Sequence, residues 1–350
     1  MAKRHQGLSF SPSKKRRIWP IFLGVFLFLL LVLSSVFFIN TAANRRVQVE
    51  NVSVPILGLE KDLEGFTILH ISDLHGAFFG ENQQFLYEAL LSKPFHAVCI
   101  TGDMLGENDS DSALISLIEK IRLAAKDVPI YFVPGDEDPV PVKEHPEAPY
   151  TVFVPYMQKL KSLHVVYVDV PVPLQVKNTT LWFMPKSQYA MNPELLYSTY
   201  ESQKTLSSSQ ANTSVINYYM DQMQRMITAR KQMKEEDYQI ILSHYPLTQS
   251  DIVTWSEVAK DPAKSVVKGI LLSLSGHYNA GQWRIPIINK ALFVPGKGFF
   301  PPDEGVVGPG LVSSVFEYIS PGLGSSSFYP FPGRIFNTPT ISYVTLTGKQ

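Results

Sequence analysis

The sequence contains a single cysteine, Cys99, and this scarcity excludes several classes of protein. One thiol cannot form an intramolecular disulfide framework, and it cannot build a multi-cysteine zinc or iron–sulfur site. The chain also lacks net charge, because 31 Lys and Arg side chains balance 31 Asp and Glu side chains, and it shows no internal repeat. Its 45% apolar content excludes a disordered chain.

The charges are nevertheless unevenly distributed. Residues 1–17 contain six basic side chains and no acidic one, and residues 18–39 carry no charge. Residues 40–350 therefore hold 25 basic and 31 acidic side chains, a net charge of −6. Non-specific binding of nucleic acid depends on Lys and Arg that neutralise phosphates, so this mildly acidic body predicts no nucleic-acid partner.

An apolar run, Ile18–Ile39, follows the basic segment. As a helix, its 22 residues would extend roughly 33 Å, enough to cross a hydrocarbon core of about 30 Å. Trp19 stands at its start, where an amphipathic ring suits the membrane interface. The run is therefore predicted to be a transmembrane signal anchor that follows a basic cytoplasmic tail, residues 1–17.

The basic residues around the anchor predict its orientation. Six precede the run, and only Arg45 and Arg46 follow it closely. The positive-inside rule then places the N-terminus in the cytoplasm and the body outside. We expect a single-pass protein of the cell membrane with the lipid bilayer as a partner and an extracytoplasmic body. The alternative is a cleaved signal peptide with its cleavage site at Thr41-Ala42-Ala43, but the apolar run exceeds the usual 7–15 residues.

The remaining chain alternates short apolar runs, typical of buried strands, with amphipathic segments, typical of helices. This alternation predicts an α/β fold with a mostly parallel sheet that is covered on both faces. Pro134–Pro155 and Pro295–Pro339 show no regular pattern, and loops of that length are often lids or binding loops. The predicted strands are Thr67–Ile71, Ala97–Thr101, Ile130–Val133, Val165–Val168, Tyr238–Leu242 and Gly269–Leu274, and the predicted helices are Asn82–Leu91, Ser112–Ala124 and Ser214–Arg230.

Carboxylates and imidazoles stand directly after the predicted strands. Ligands of open α/β sheets bind outside the carboxyl ends of strands, so these side chains are expected to converge on one site. Each signal alone is weak, because Gly-Asp after a strand is ordinarily a turn and a lone histidine is more often structural. The strand ends carry Asp73 and His75, then Asp103, then Asp136, Glu137 and Asp138, then His244, and finally His277 and Asn279.

The order of these residues resembles the calcineurin-like metallophosphoesterases, whose pattern is D-x-H, G-D, G-N-H-[DE], a lone H and G-H-x-H. The resemblance covers about residues 66–345. Four further segments are similar to the membrane-anchored bacterial branch of that family, which includes phosphodiesterases and a UDP-2,3-diacylglucosamine pyrophosphatase. These segments are Ser72–His75, Gly281–Pro286, Gly322–Ser325 and Arg334–Asn337.

The resemblance implies a four-layer αββα sandwich of two mixed sheets flanked by helices, preceded by one N-terminal transmembrane helix. Residues 40–65 would form a juxtamembrane linker and the first strand. Residues 66–350 would form the metallophosphoesterase domain.

The resemblance also implies a centre for two divalent metal ions. Asp73, His75 and Asp103 would hold one ion, with Asn279 in the place of a further histidine. Asp103 would bridge to a second ion, which Asp136, His244 and His277 complete. Carboxylates and imidazoles without thiolate favour Mn²⁺, with Fe or Zn²⁺ as alternatives. Two such ions activate water for in-line attack on a phosphate ester.

Asp103 and Glu137 are the candidate catalytic residues. Arg284 and Arg334 are candidates for substrate binding, because a guanidinium group holds phosphate through two parallel hydrogen bonds. Either arginine could instead be an ion-pair partner at the surface.

Two departures from the family pattern fall inside the predicted centre. Asp136 and Glu137 replace asparagine and histidine, and a carboxylate at position 137 would repel a phosphate because its ordinary pKa is about 4.3. Asn279 replaces a histidine with a neutral, weaker ligand, which predicts a weakened first metal position. Three hypotheses follow. The first two are an active phosphoesterase with altered acid catalysis and a degenerate member that acts as a binding or scaffolding module. A structural protein whose motif residues are only turns and caps is the third.

The predicted substrate is an extracytoplasmic phosphodiester or phosphomonoester. An anchored enzyme meets lipids and cell-envelope metabolites at high local concentration. Aromatic residues in the second irregular segment would form either an apolar rim for acyl chains or ordinary loop packing. These residues are Phe299, Phe300, Phe328, Tyr329, Phe331 and Phe336.

Overall fold

A computed structural model describes residues 19–143, 152–207, 210–258, 269–329 and 333–349. The chain divides into two compact units, Met1–Ala42 and Ala43–Gln350. Helix α1 (Trp19–Asn44) begins in the first unit. Among the described residues it is the one helix whose length and composition would allow it to cross a membrane. The basic segment 1–17 and Ile18 lie outside the described residues.

The second unit contains the other helices and the strands that the structure describes. The helices are α2 (Gln84–Leu90), α3 (Ser112–Ala124), α4 (Pro155–Ser162), α5 (Pro193–Leu206), α6 (Gln210–Gln232) and α7 (Gln249–Val258). The strands are β1 (Gln48–Leu57), β2 (Thr67–Ile71), β3 (Ala97–Thr101), β4 (Ile130–Val133), β5 (Val165–Tyr167), β6 (Val172–Val176), β7 (Thr179–Pro185), β8 (Tyr238–Leu242), β9 (Ile270–Ser275), β10 (Arg284–Ile285), β11 (Lys290–Ala291), β12 (Phe293–Val294), β13 (Gly298–Phe299), β14 (Gly308–Val312), β15 (Val315–Ile319) and β16 (Thr340–Lys349).

Most of these strands form two six-stranded mixed sheets. The first has the order β1-β16-β2-β3-β4-β5, in which β16 and β2 are antiparallel and the other neighbours are parallel. The second has the order β14-β15-β9-β8-β7-β6, in which β15, β9, β8 and β7 are parallel and each edge strand is antiparallel to its neighbour. Parallel strands end at the same edge of a sheet, so the loops after β2, β3 and β4, and those after β8 and β9, lie side by side.

The core explains why the predicted strands are continuous apolar runs. Along β3, Ala97 and Cys99 pack between the two sheets, whereas Val98 and Ile100 pack against α2, α3 and α4. The outer face of the second sheet is covered in the same way by α6 and α7 around Trp182. Both faces of each sheet are therefore buried, which is typical of parallel strands. Helices, two sheets and helices form the four layers that the family resemblance implies.

The predicted strands and helices are confirmed, with boundaries that shift by at most two residues except at the start of α6, which begins four residues before the predicted Ser214. The expectation for Pro295–Pro339 is wrong in part, because β14 and β15 form a hairpin there that pairs with β9. The hairpin β6–β7 was also not predicted. Of Pro134–Pro155, residues 144–151 lie outside the described residues. His70 has a structural role, because its Nε2 pairs with Thr101 Oγ1 at 2.8 Å in the core.

Candidate metal centre

The loops after the parallel strands bring the predicted ligands together. Asp73, His75 and Asp103 have φ values of 55°, 46° and 54°, in the left-handed region that such residues seldom adopt. The backbone N–H of Asp73 donates to Gly102 O, and that of His75 donates to Asp103 O, each at 2.9 Å. The loops after β2 and β3 therefore brace one another. Unusual backbone conformations held by such contacts are concentrated at functional sites.

One cluster, called here the second group because it matches the second predicted ion, consists of Asp103, Asp136, His244 and His277. Their candidate ligand atoms all lie within 4.8 Å of one another. His244 Nε2 lies 3.1 Å from Asp103 Oδ2 and 2.9 Å from Asp136 Oδ1, and His277 Nδ1 lies 3.2 Å from Asp136 Oδ1. His244 Nδ1 lies 2.8 Å from Thr101 O, and a carbonyl oxygen only accepts. His244 Nδ1 therefore carries a proton and donates it to Thr101 O, which leaves Nε2 directed at the cluster.

Another cluster, called here the first group because it matches the first predicted ion, consists of Asp73, His75 and Asp103. Its candidate ligand atoms also lie within 4.8 Å of one another. Asp103 belongs to both groups. His75 Nε2 lies 3.9 Å from Asp73 Oδ1. The backbone N–H of His277 donates to Asp73 Oδ1 at 3.1 Å, so the loop after β9 joins the two groups.

The electrostatics of the two groups fit divalent cations. Burial raises the pKa of Asp73 despite the opposing charges of His244 and His75. Burial would lower the pKa of His244, but contacts with Asp103 and Asp136 outweigh it and raise that pKa well above its usual range. Buried carboxylates at such short separations need positive charge nearby, which protonated imidazoles supply when no cation does. The donor set of carboxylate oxygens and imidazole nitrogens suits Mn²⁺, Fe and Zn²⁺.

Asn279 lies beside the first group, but its oxygen is turned away. Its Nδ2 lies 3.4 Å from Asp73 Oδ1 and 3.3 Å from His75 Nε2. Its Oδ1 accepts from Arg334 Nη1 at 3.4 Å. A rotated amide would set oxygen against the Asp73 carboxylate and N–H against the guanidinium, and both contacts are unfavourable. This orientation does not favour the ligand role predicted for Asn279, and the first group then has three candidate ligands among the described residues.

The Glu137 carboxylate is surrounded by two serine hydroxyl groups and the His75 ring. Its Oε1 accepts from Ser326 Oγ, its Oε2 accepts from Ser327 Oγ at 3.2 Å, and Oε2 lies 3.5 Å from His75 Nδ1. Burial would raise the pKa of Glu137, but its contacts with His75 and Ser326 outweigh that effect and lower the pKa to about 2. The carboxylate is therefore ionised at neutral pH, which is unsuitable for a proton donor.

Both predicted substrate arginines are buried, and the fold uses their donors. Arg334 donates to Gly324 O, Pro321 O and Asn337 O at 2.8–2.9 Å. Arg284 donates to Ala280 O at 2.7 Å and to Asp303 Oδ1 at 2.8 Å. These contacts favour roles in shaping the loops after β9 and β15. They do not support the substrate contact predicted from the sequence.

The structure adds residues that the sequence pattern did not single out. Asp138, named only as part of a motif, accepts from Met104 N, Leu105 N and Gly135 N at 2.8–3.0 Å, so it clamps the loops after β3 and β4 together. Ser326 and Ser327 hold Glu137, and only their position after the Gly322–Ser325 segment could have drawn attention to them. Thr101 contacts His244 through its backbone carbonyl, and such a contact cannot be recognised from the identity of the side chain.

A cavity of about 290 Å³ adjoins the second group. Asp136 and His244 line it on the side of the centre, and Lys186 and Tyr245 are among its other walls. Burial and the neighbouring Asp136 raise the pKa of the Tyr245 phenol to about 12, so this side chain stays a neutral hydrogen-bond donor at neutral pH.

Two mixed sheets between helices, with carboxylates and imidazoles gathered at the strand ends, define an α/β protein with a candidate site for divalent cations. The family model for calcineurin-like phosphoesterases matches residues 66–279. The chain belongs to the calcineurin-like phosphoesterase family. The more specific similarity to the membrane-anchored diacylglucosamine pyrophosphatase branch stays a prediction.

Comparison with curated proteins finds no match. Among solved structures that match is the crystal structure of phosphopantetheinyl hydrolase from Mycobacterium tuberculosis. It is 12% identical, with 74% of this chain and 91% of that chain covered and a TM-score of 0.36. At that score the similarity carries no argument about function.

Proposed function

We propose that this protein is a membrane-anchored, metal-dependent phosphoesterase that hydrolyses an extracytoplasmic phosphodiester or phosphomonoester. The observation that carries the proposal is the position of Asp103, whose carboxylate belongs to both candidate metal groups. A single carboxylate shared by two clusters is the arrangement that a two-ion phosphoesterase needs. Divalent ions held by the two groups would lower the pKa of water and stabilise charge on the phosphoryl oxygens.

The residues of the chain have distinct parts in this proposal. Asp73 and His75 complete the first group, and Asp136, His244 and His277 complete the second. The ring centroids of His277 and Tyr245 lie 4.3 Å apart, and Tyr245 also lines the adjacent cavity. The neutral Tyr245 phenol is placed to donate a hydrogen bond to a phosphate oxygen or to the leaving group. Since Glu137 is ionised and held, we assign it no acid role.

The predicted apolar rim is supported for part of the aromatic set. Phe299, Phe300 and Phe328 are 71%, 60% and 59% exposed, whereas Tyr329 is buried. The backbone N–H of Phe328 donates to Ser326 Oγ at 3.1 Å, which places this ring two residues from a partner of Glu137. Phe331 lies outside the described residues. The exposed Phe328 ring, close along the chain to a partner of Glu137, supports a substrate with an acyl chain, presented by the membrane to which we propose the protein is anchored.

The test uses the full chain purified in detergent. Metal content by mass spectrometry and hydrolysis of bis-p-nitrophenyl phosphate with Mn²⁺ are measured for the wild type and for Asp103→Asn. We expect metal binding and turnover in the wild type, and loss of turnover in the variant because both groups lose a charged ligand. Turnover that persists in Asp103→Asn would contradict the proposal.

A degenerate binding or scaffolding role is the second candidate, and the orientation of Asn279 favours it because the first group retains few ligands. The two candidates differ in one result. If the wild type is inert and Glu137→His with Asn279→His restores turnover, the chain has kept the fold of the family without its activity.

A further inference from the structure

We propose that Glu137 is a positioning residue for His75, and that Ser326 and Ser327 hold Glu137 in that role. The carboxylate would keep the Nδ1 proton of His75 on its own side, so that Nε2 faces the first group. The predicted effect on metal binding rests on the proposed function. The arrangement of the side chains is independent of that function.

The surroundings of His75 identify which nitrogen carries the proton. Asn279 Nδ2 lies 3.3 Å from His75 Nε2, and an amide NH₂ group can only donate. When the His75 ring is neutral, this contact favours Nε2 as the acceptor and places the ring proton on Nδ1. That atom is buried and has no hydrogen-bond partner among the described residues, and it lies at ion-pair distance, 3.5 Å, from Glu137 Oε2. A metal-binding histidine commonly has this arrangement, with a carboxylate on its far nitrogen.

Glu137 is itself held from several directions. Ser326 Oγ donates to one carboxylate oxygen and Ser327 Oγ to the other. Ser326 is buried, and its backbone N–H donates to Gln282 Oε1 at 2.9 Å. The backbone N–H of Glu137 donates to Asp103 Oδ1 at 2.8 Å. Glu137 thus supports Asp103 through its backbone and His75 through its side chain.

This arrangement predicts a selective defect. Removal of the Glu137 side chain leaves the backbone contact with Asp103 in place and releases His75. Among the contacts that the structure describes for Glu137, none reaches His277, Asp136 or His244. We therefore expect Glu137→Ala to weaken the first metal position by about 10- to 100-fold and to leave the second unchanged.

The first experiment reads the tautomer and needs no metal. The metal-free full chain is labelled with ¹⁵N-histidine and placed in lipid, and solid-state NMR spectra are recorded at rising pH until the His75 ring is neutral. The His75 signals are assigned by their loss in His75→Asn. We expect the proton on Nδ1 in the wild type and a shift toward the Nε2-protonated form in Glu137→Ala. Glu137→Gln, which keeps an acceptor oxygen, should retain the wild-type tautomer.

The second experiment titrates Mn²⁺ into the same proteins and follows binding by electron paramagnetic resonance. Glu304→Ala, which removes an exposed glutamate, is the matched control and should bind as the wild type does. A proton on Nε2 of wild-type His75, or a tautomer that Glu137→Ala does not change, would overturn the proposal. Unchanged affinity at both positions in Glu137→Ala would also overturn it. If the tautomer shifts as expected but the wild type binds no Mn²⁺, the positioning role stands and the proposed function fails.

Discussion

At the scale of single residues, the candidate centre depends on the orientation of polar groups more than on their identity. Asn279 and Glu137 occupy positions where the family pattern has histidines, and each is held by partners that the sequence pattern did not identify. Arg334 turns the Asn279 oxygen away from the first group. Two serines and His75 surround the Glu137 carboxylate. These contacts lead to predictions about single substitutions.

Asn279→Asp should strengthen the first metal position. One carboxylate oxygen would still accept from Arg334, and the other would face Asp73 and His75 in place of the present N–H group. We expect about tenfold tighter Mn²⁺ binding at that position, because a charged oxygen attracts the cation more than a neutral group does. The metal-free protein should lose roughly 1–2 kcal/mol of stability from repulsion between carboxylates.

Mn²⁺ titration and urea unfolding of the metal-free protein check both effects. Asn192→Asp is a matched control, because Asn192 caps α5 far along the chain from the centre, and aspartate caps equally well. Binding at the first position that is unchanged in Asn279→Asp would show that the amide does not face the metal.

Glu317 should make stability depend on pH. It is 2% exposed, it accepts from Leu247 N, and burial raises its pKa to about 7 from 4.5. Between these two values the unfolded chain ionises and the folded chain stays protonated. The unfolded state then binds fewer protons, so the free energy of unfolding falls as the pH rises, by roughly 3 kcal/mol in total.

Glu317→Gln removes this titration and keeps an oxygen that accepts from Leu247. Urea unfolding should show the variant close to the wild type at pH 4.5 and more stable than the wild type at pH 8. Glu236→Gln, at an exposed glutamate, should show no such difference. A variant that is less stable than the wild type at pH 8 would show that the buried carboxyl is ionised in the folded protein.

At the scale of secondary-structure elements, the centre is a product of contacts between loops that follow adjacent strands. Asp138 clamps the loop after β4 onto the loop after β3. Gly135 lies so close to Asp103 that an added Cβ would overlap the Asp103 carboxylate. Glycine is needed there for space, since its backbone is not in the left-handed region.

Gly135→Ala should therefore displace the shared carboxylate. We expect a loss of stability of roughly 1–3 kcal/mol and weaker Mn²⁺ binding at both groups, because Asp103 belongs to both. Thermal unfolding and Mn²⁺ titration measure the two effects. Gly310→Ala is the control, since a Cβ there meets no atom within 4 Å. Metal binding by Gly135→Ala that equals the wild type would contradict the shared role of Asp103.

At the scale of the whole molecule, the question is on which side of the membrane the phosphoesterase unit lies. The proposed orientation, with the N-terminus inside, follows from the basic residues before α1. Cys99 is buried, so the protein provides a low background for thiol labelling. Thr254 on α7 is exposed and offers a site for a new cysteine.

Thr254→Cys in the full chain should react with a membrane-impermeant maleimide in intact cells. Wild type serves as the control and should remain unlabelled, because its single thiol is in the core. Labelling that appears only after lysis would place the phosphoesterase unit in the cytoplasm and contradict the proposed topology.

Much of the fold was predictable because its signals are local. Strands such as β2 and β3 are buried on both faces, so they are continuous apolar runs bounded by polar turns. The hairpins β6–β7 and β14–β15 were not predicted. Their edge strands, β6 and β14, alternate between partly buried and exposed residues, whereas β7 and β15 are interior strands. The stability of these hairpins depends on neighbours distant in the chain, such as β9.

The sequence by itself determined the family, the apolar helix, the central strands and the set of carboxylates and imidazoles that meet at their ends. It could do so because strand burial and the order of motifs are properties of short segments. Only the tertiary structure decided how the groups face one another: that Asp103 is shared, that Asn279 presents nitrogen, that Glu137 contacts His75, and that both arginines serve the fold. Hydrogen-bond direction depends on partners up to about two hundred residues away, and residue identity alone does not specify it.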